Sequence, residues 1–85
     1  YCYMNKSRKK ILCAFGQLVK QHRLNIGLSQ EELGLRADLD RTYISGLERG
    51  VRNPSLTALV CLASGLGMNV SELLHNLEVE IKHLE

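Results

Sequence analysis

Apolar residues recur along this 85-residue chain at the three- and four-residue steps of helices, and no stretch alternates with the period of a strand. Ile11, Leu12, Phe15, Leu18, Val19 and then His22 or Leu24 predict a first helix over 9–25, closed by Gly27. Ser29 with Glu32 three positions on is a capping-box pattern. It opens a second helix with Leu33 facing inward and Ala37 small enough for a neighbour to cross closely. After the turn Ala37-Asp38-Leu39, Asp40 caps a third helix that buries Ile44 and Leu47, and Gly50 stops it. Beyond the only proline, Pro54, Ser55 caps a fourth helix with the stripe Leu56, Leu59, Leu62, Ala63 and Leu66, ended by Gly65 and Gly67. Ser71 caps a fifth helix running towards Leu84. The expected fold is all-α with five helices: a tail over 1–8, a helical domain over 9–69 and a C-terminal helix over 70–85.

Composition fits that picture and narrows it. Hydrophobic residues make up 45% of the chain but aromatics only 5%, a profile suited to short packed helices. No run approaches the ~18 apolar residues of a membrane span, and the N-terminus lacks a signal-peptide pattern. The expectation is a soluble cytoplasmic domain with no membrane partner. Three cysteines, Cys2, Cys13 and Cys61, are an odd number without CxxC spacing, which argues against a disulfide framework and a zinc site. Cys13 and Cys61 read as small hydrophobes on helices. Met4 is a candidate start, and residues 1–3 enter no functional reading.

The net charge of +2 hides a division. Residues 1–55 carry +5 and residues 56–85 carry −3. A basic front and an acidic back suit a domain that lays one face on a polyanion. Lys6 to Lys10 form either a mobile basic arm that adds phosphate contacts or the first helical turn.

The segment LSQEELGLRADLDRTYISGLERGVRNPS, residues 28–55, has the layout of a helix-turn-helix, two short helices joined by a tight turn. GLSQEEL (27–33), ADLDRTYISGLERG (37–50), RNPSL (52–56) and LVCLASGLG (59–67) resemble the Cro/C1-type (XRE-like) helix-turn-helix family of phage repressors and bacterial regulators. The likeness spans residues 15–67 in the family's order, and DRTYISGLERG is similar to the small controller proteins of restriction–modification operons. The resemblance implies a lambda-repressor-like fold whose third helix enters the major groove of double-stranded DNA.

Roles follow from the resemblance residue by residue. Arg41, Thr42 and Ser45 would face base edges, with Arg41 able to grip guanine O6 and N7. Gln30, Tyr43, Arg49, Arg52 and Asn53 would hold the DNA backbone, setting register without reading sequence. Tyr43 has packing as its alternative, Ser45 a bond to its own helix, and Arg52 and Asn53 the building of the turn before Pro54. Arg23 and Glu48 match a structural ion pair of the family that joins the first helix to the third. Gly34 departs from the family's alanine, and Asp38 stands at a turn position often held by glycine.

Val70, Leu74, Leu77, Ile81 and Leu84 recur at four-three spacing with Leu73 beside them, a stripe wide for so small a core. It reads as a homodimer interface, or else Val70, Leu73 and Leu74 complete the core while Ile81 and Leu84 fray. Two copies would set their recognition helices ~34 Å apart, one DNA turn. His22, His75 and His83 have no metal-ligand spacing, and neither a phosphate-cradling loop nor a nucleophile elbow is present. No enzyme, cofactor or metal is expected. The expected function is a transcription regulator on a palindromic operator, repressing by blocking RNA polymerase or activating by touching it. The alternative is a protein-interaction module, such as an antitoxin or an anti-repressor partner, that binds DNA secondarily.

Overall fold

The computed structural model describes residues 4–84, so Tyr1, Cys2, Tyr3 and Glu85 lie outside the described residues. Among the described residues the chain is helical with no strand: α1 (Met4–Asn25), α2 (Gln30–Ala37), α3 (Arg41–Glu48), α4 (Leu56–Gly65), α5 (Val70–Leu74) and α6 (Leu77–His83). All five expected helices are present, the last of them in two pieces. No single helix is long and apolar enough to cross a membrane.

Helix α1 starts at Met4 rather than at residue 9. The added residues 4–8 contain neither glycine nor proline, and Met4, Lys6 and Arg8 among them are good helix formers. Lys6 to Lys10 therefore belong to a helix and not to a loose arm. Ala14, Phe15, Leu18 and Val19 are the buried face, while Leu24 is 57% exposed and the neighbouring His22 is the more sheltered of the two. They join Leu33, Ile44, Leu47, Leu62, Ala63, Leu66 and Leu73 in one core.

The caps follow the sequence closely at two helices. At α2, Ser29 Oγ accepts the Glu32 N–H at 3.0 Å and Glu32 Oε1 accepts the Ser29 N–H at 2.9 Å, a closed capping box. The bond from the Ser29 N–H, with that to the Ser29 side chain, holds the Glu32 carboxyl below its ordinary range. A depressed folded pKa adds stability that is present above the unfolded value, about 4.3, and is lost as pH falls through the folded one. The stability gap between the native chain and Glu32→Gln is expected to be constant near neutrality and to close in that acid window. Urea midpoints measured against pH check it, and a gap unchanged down to pH 2 would contradict it. At α4, Ser55 Oγ accepts the Ala58 N–H at 3.1 Å.

Two expectations for the C-terminal half change. Leu56 is 73% exposed, because the buried stripe of α4 starts at Ala58 and steps to Leu62 and Leu66. Two residues turn a helix by about 200°, which puts Leu56 on the opposite side. Asn69, not Ser71, caps α5, its Oδ1 accepting both the Glu72 N–H and the Ser71 hydroxyl. The helix then breaks at Asn76, which takes a left-handed conformation with φ 72°. Asparagine tolerates that conformation through its short polar side chain. The stripe from Val70 to Leu84 is thus shared between two helices.

Gly16 sets how α1 meets α3. A Cβ there would lie 2.4 Å from the Leu47 carbonyl oxygen and 2.6 Å from that of Glu48. Both neighbours are backbone, so neither can swing away. Gly16→Ala is expected to destabilise the fold by about 3 kcal/mol, the upper end of ordinary overpacking. Denaturant unfolding checks this; an unchanged midpoint would mean that α1 slides freely over α3.

Candidate nucleic-acid interface

The turn between α2 and α3 is built around two residues. Asp38 adopts φ 56°, ψ 41°, the left-handed conformation that aspartate bears better than most residues. The Asp38 and Leu39 N–H groups both donate to the Gly34 carbonyl. A Cβ at Gly34 would lie 2.6 Å from the Leu39 carbonyl oxygen, so glycine lets the chain fold back tightly on α2. The helix propensity that glycine forfeits, about 1 kcal/mol, is offset by this close approach.

Helix α3 emerges with its two sides sharply divided. Ile44 and Leu47 are fully buried, whereas Arg41 and Thr42 are exposed and Ser45 is half-buried. Arg49, beyond the last turn, and Arg52 and Asn53, in the following loop, are also exposed. Tyr43 is half-buried and packs against the core. Arg52 folds back over α3: its guanidinium lies over the Tyr43 ring, 5.9 Å from the centroid, within cation–π range. Its stem crosses Gly46, where a Cβ would come within 2.5 Å of Arg52 Cγ. Tyr43 and Arg52 thus share one contact, with packing and exposure combined.

At the far end of α3, Glu48 turns inward. Arg23 Nε donates to Glu48 Oε2 at 2.7 Å and Arg23 Nη2 to Glu48 Oε1 at 3.0 Å, a two-pronged pair. Arg23 Nη1 donates to the Leu28 carbonyl at 2.9 Å, and Gln30 Nε2 donates to Glu48 Oε1 at 3.1 Å. The two side chains are 9% and 4% exposed. Hydrogen bonding to Glu48 raises the Arg23 pKa against the opposing effect of burial, so the guanidinium stays charged. This network ties α1 and the start of α2 to the end of α3 and fixes the angle at which the helix stands out. Gln30, expected at a phosphate, has one of its two amide N–H groups engaged by Glu48 and keeps the other.

Arg41, Thr42 and Ser45 share one flank of α3, with Arg49 just beyond its end on the same side, because steps of three, four and seven return to one side of a helix. The C-terminal residues divide differently. Leu73 is fully buried within one chain, which removes it from any interface and gives it the task of holding α5 on the core. Val70, Leu74 and Leu77 lie partly exposed against the core, and Ile81 and Leu84 are half-buried on and just beyond α6. Cys13 and Cys61 are free and half-buried. The histidines are apart, and among the described residues no group of His, Cys, Asp and Glu is placed to hold a metal ion.

Gly16, Gly46 and the Asp40–Thr42 bond (Thr42 Oγ1 donating to Asp40 Oδ2) escaped the sequence reading. A glycine inside a helical pattern is a signal for close approach that was open to use at both glycines.

Residues 19–73, well over half the chain, match the helix-turn-helix family. The chain belongs to the Cro/C1-type helix-turn-helix family. It is similar to the control protein C.MunI of Mycoplasma sp, 45% identical over 67 residues that span 78% of this chain and 90% of that one. To the control protein C.BamHI of Bacillus amyloliquefaciens it is 48% identical over 61 residues, 71% of this chain and 75% of the other. Among solved structures it resembles the restriction-modification controller protein C.Esp1396I, a tetramer in complex with its natural 35 base-pair operator. That likeness has a TM-score of 0.77 at 36% identity and covers 85% of this chain and 95% of the other. In helix-turn-helix terms α2 is the supporting helix and α3 the recognition helix.

Proposed function

We infer that this helix-turn-helix protein is a sequence-specific DNA-binding regulator of transcription, acting as a homodimer on a palindromic operator. The observation that carries the reading is the division of α3: its buried side is locked by Ile44, Leu47 and the Arg23–Glu48 pair, while Arg41 and Thr42 are exposed at its N-terminal end. That end is the part of a recognition helix that reaches base edges. Arg41, Thr42 and Ser45 read bases, and Gln30, Tyr43, Arg49, Arg52 and Asn53 hold phosphates. The basic surplus of the 1–55 part lies on α1, between Lys6 and Arg23, while residues 28–55 hold four Arg against five Asp and Glu, so α3 is marked by the placement of Arg41, Arg49 and Arg52 and not by net charge.

The homodimer reading rests on an apolar groove between α1, α4 and the α5–α6 junction, lined among others by Ile11, Pro54, Leu59, Leu74 and Leu77. A second copy covering it, together with the partly exposed Val70, Ile81 and Leu84 of the C-terminal stripe, would pair two recognition helices on one side of the duplex. The operator-bound tetramer of C.Esp1396I supports association of copies on DNA. The protein acts in the cytoplasm and catalyses no reaction; it represses by covering a promoter or activates by touching RNA polymerase. Selection of bound duplexes from a random library tests the reading. The expected product is a palindrome with half-sites about one helical turn apart, holding two chains per duplex by mass. Recovery of no common sequence would overturn it.

A further inference from the structure

Among the described residues two N-cap residues make no side-chain cap bond, the left-handed Asn76 of α6 and the extended Asp40 of α3, and only Asp40 shares its backbone conformation with the caps that do. Ser29, Ser55 and Asn69 each accept the backbone N–H of the third helical residue, from Glu32, Ala58 and Glu72. Asp40 occupies the same position at α3 and makes no such bond. The N–H it leaves, that of Tyr43, goes to the Asp40 carbonyl at 3.0 Å. The Asp40 carboxylate is engaged elsewhere: its Oδ2 accepts the hydroxyl hydrogen of Thr42.

That bond has a chemical consequence for Thr42. A hydroxyl owns one hydrogen and two lone pairs. A carboxylate acceptor makes the bond charge-assisted, so the hydrogen is held firmly. Thr42 is exposed, and what remains for a facing group is lone pairs and a methyl. An ionised Asp40 is itself an acceptor only. In the major groove adenine and cytosine offer amino hydrogens, whereas guanine offers only the acceptors O6 and N7.

We propose that Asp40 is a specificity-determining residue: by taking the hydroxyl hydrogen it makes Thr42 an acceptor, so that the base facing Thr42 is selected for an amino group and guanine is rejected there. The inference rests on the groove-reading role of α3. A carboxylate near DNA could also act by repulsion alone, and the two effects separate cleanly, because repulsion weakens all sequences alike and the proposed device works at one base.

The test uses the full chain and the duplex it selects, with every single-base variant of one half-site measured in competition. Asp40→Ala is expected to shrink the penalty for guanine at one base pair by about tenfold, with preferences elsewhere unchanged. Thr42→Val should remove the discrimination at that same pair, and Asp40→Ala added to Thr42→Val should change no preference. Because Asp40 makes no side-chain cap bond, Asp40→Ala should retain the helical circular dichroism and thermal midpoint of the native chain. Equal tightening on every duplex would overturn the proposal and leave groove reading intact, as would an altered preference that persists without the Thr42 hydroxyl. A native chain that binds all duplexes equally would overturn both.

Discussion

Glu48→Ala is expected to destabilise the domain by about 3–5 kcal/mol, the cost of leaving a buried charge without its partner. Arg23 is 8% exposed, and two of its three hydrogen-bonding nitrogens end on Glu48. Gln30 loses its acceptor in the same step. Small domains have only about 5–15 kcal/mol in hand, so the variant should unfold at markedly lower urea. The double replacement Arg23→Met with Glu48→Leu should recover much of the loss, since it removes both charges at once. A loss below about 1 kcal/mol for Glu48→Ala would instead describe an ordinary surface pair. Any fraction that stays folded should also bind DNA less well, because the pair sets the angle between α1 and α3.

Arg41→Ala should leave the fold untouched and weaken binding to the selected duplex by about 1–3 kcal/mol, roughly fivefold to 150-fold. The side chain is exposed at the start of α3, so no packing is lost. Only the site's own bases should register the change: binding to unrelated duplexes should fall much less, and the preference at one base pair should relax. Arg41→Lys keeps the charge but not the two-pronged grip, and is expected to recover only the general binding. Arg49→Ala and Arg52→Ala should behave in the opposite way, weakening all duplexes alike and lowering the salt slope by about one each. If Arg41→Ala weakened all sequences equally, Arg41 would be a phosphate contact and not a base reader.

What the sequence carried of this site was mostly local chemistry. Ser29 with Glu32, Ser55, the left-handed Asp38 and the stop at Gly50 are written in residue types whose preferences act within one turn of chain. The buried side of α3 was legible for the same reason, since Ile44 and Leu47 lie three apart. What failed was decided by tertiary partners. Leu56 has the spacing of a core residue, yet the crossing of α2 and α4 turns it outward. Leu73 sits beside an apolar stripe but is consumed by the core of its own chain. Asn76 broke the last helix where the four-three spacing alone gave no sign of a break. Asn69 both caps α5 and holds the Ser71 hydroxyl, whereas Asp40 holds Thr42 without capping α3, a difference that residue type alone does not carry.

The central claim is that the exposed flank of α3 is the DNA-reading surface. Backbone amide resonances followed as the selected duplex is added test it most directly. The largest shifts are expected on residues 41–45, with smaller ones at Gln30 and residues 49–53, and a scrambled duplex should move only the smaller set. Shifts centred on α6, with α3 unmoved, would contradict it.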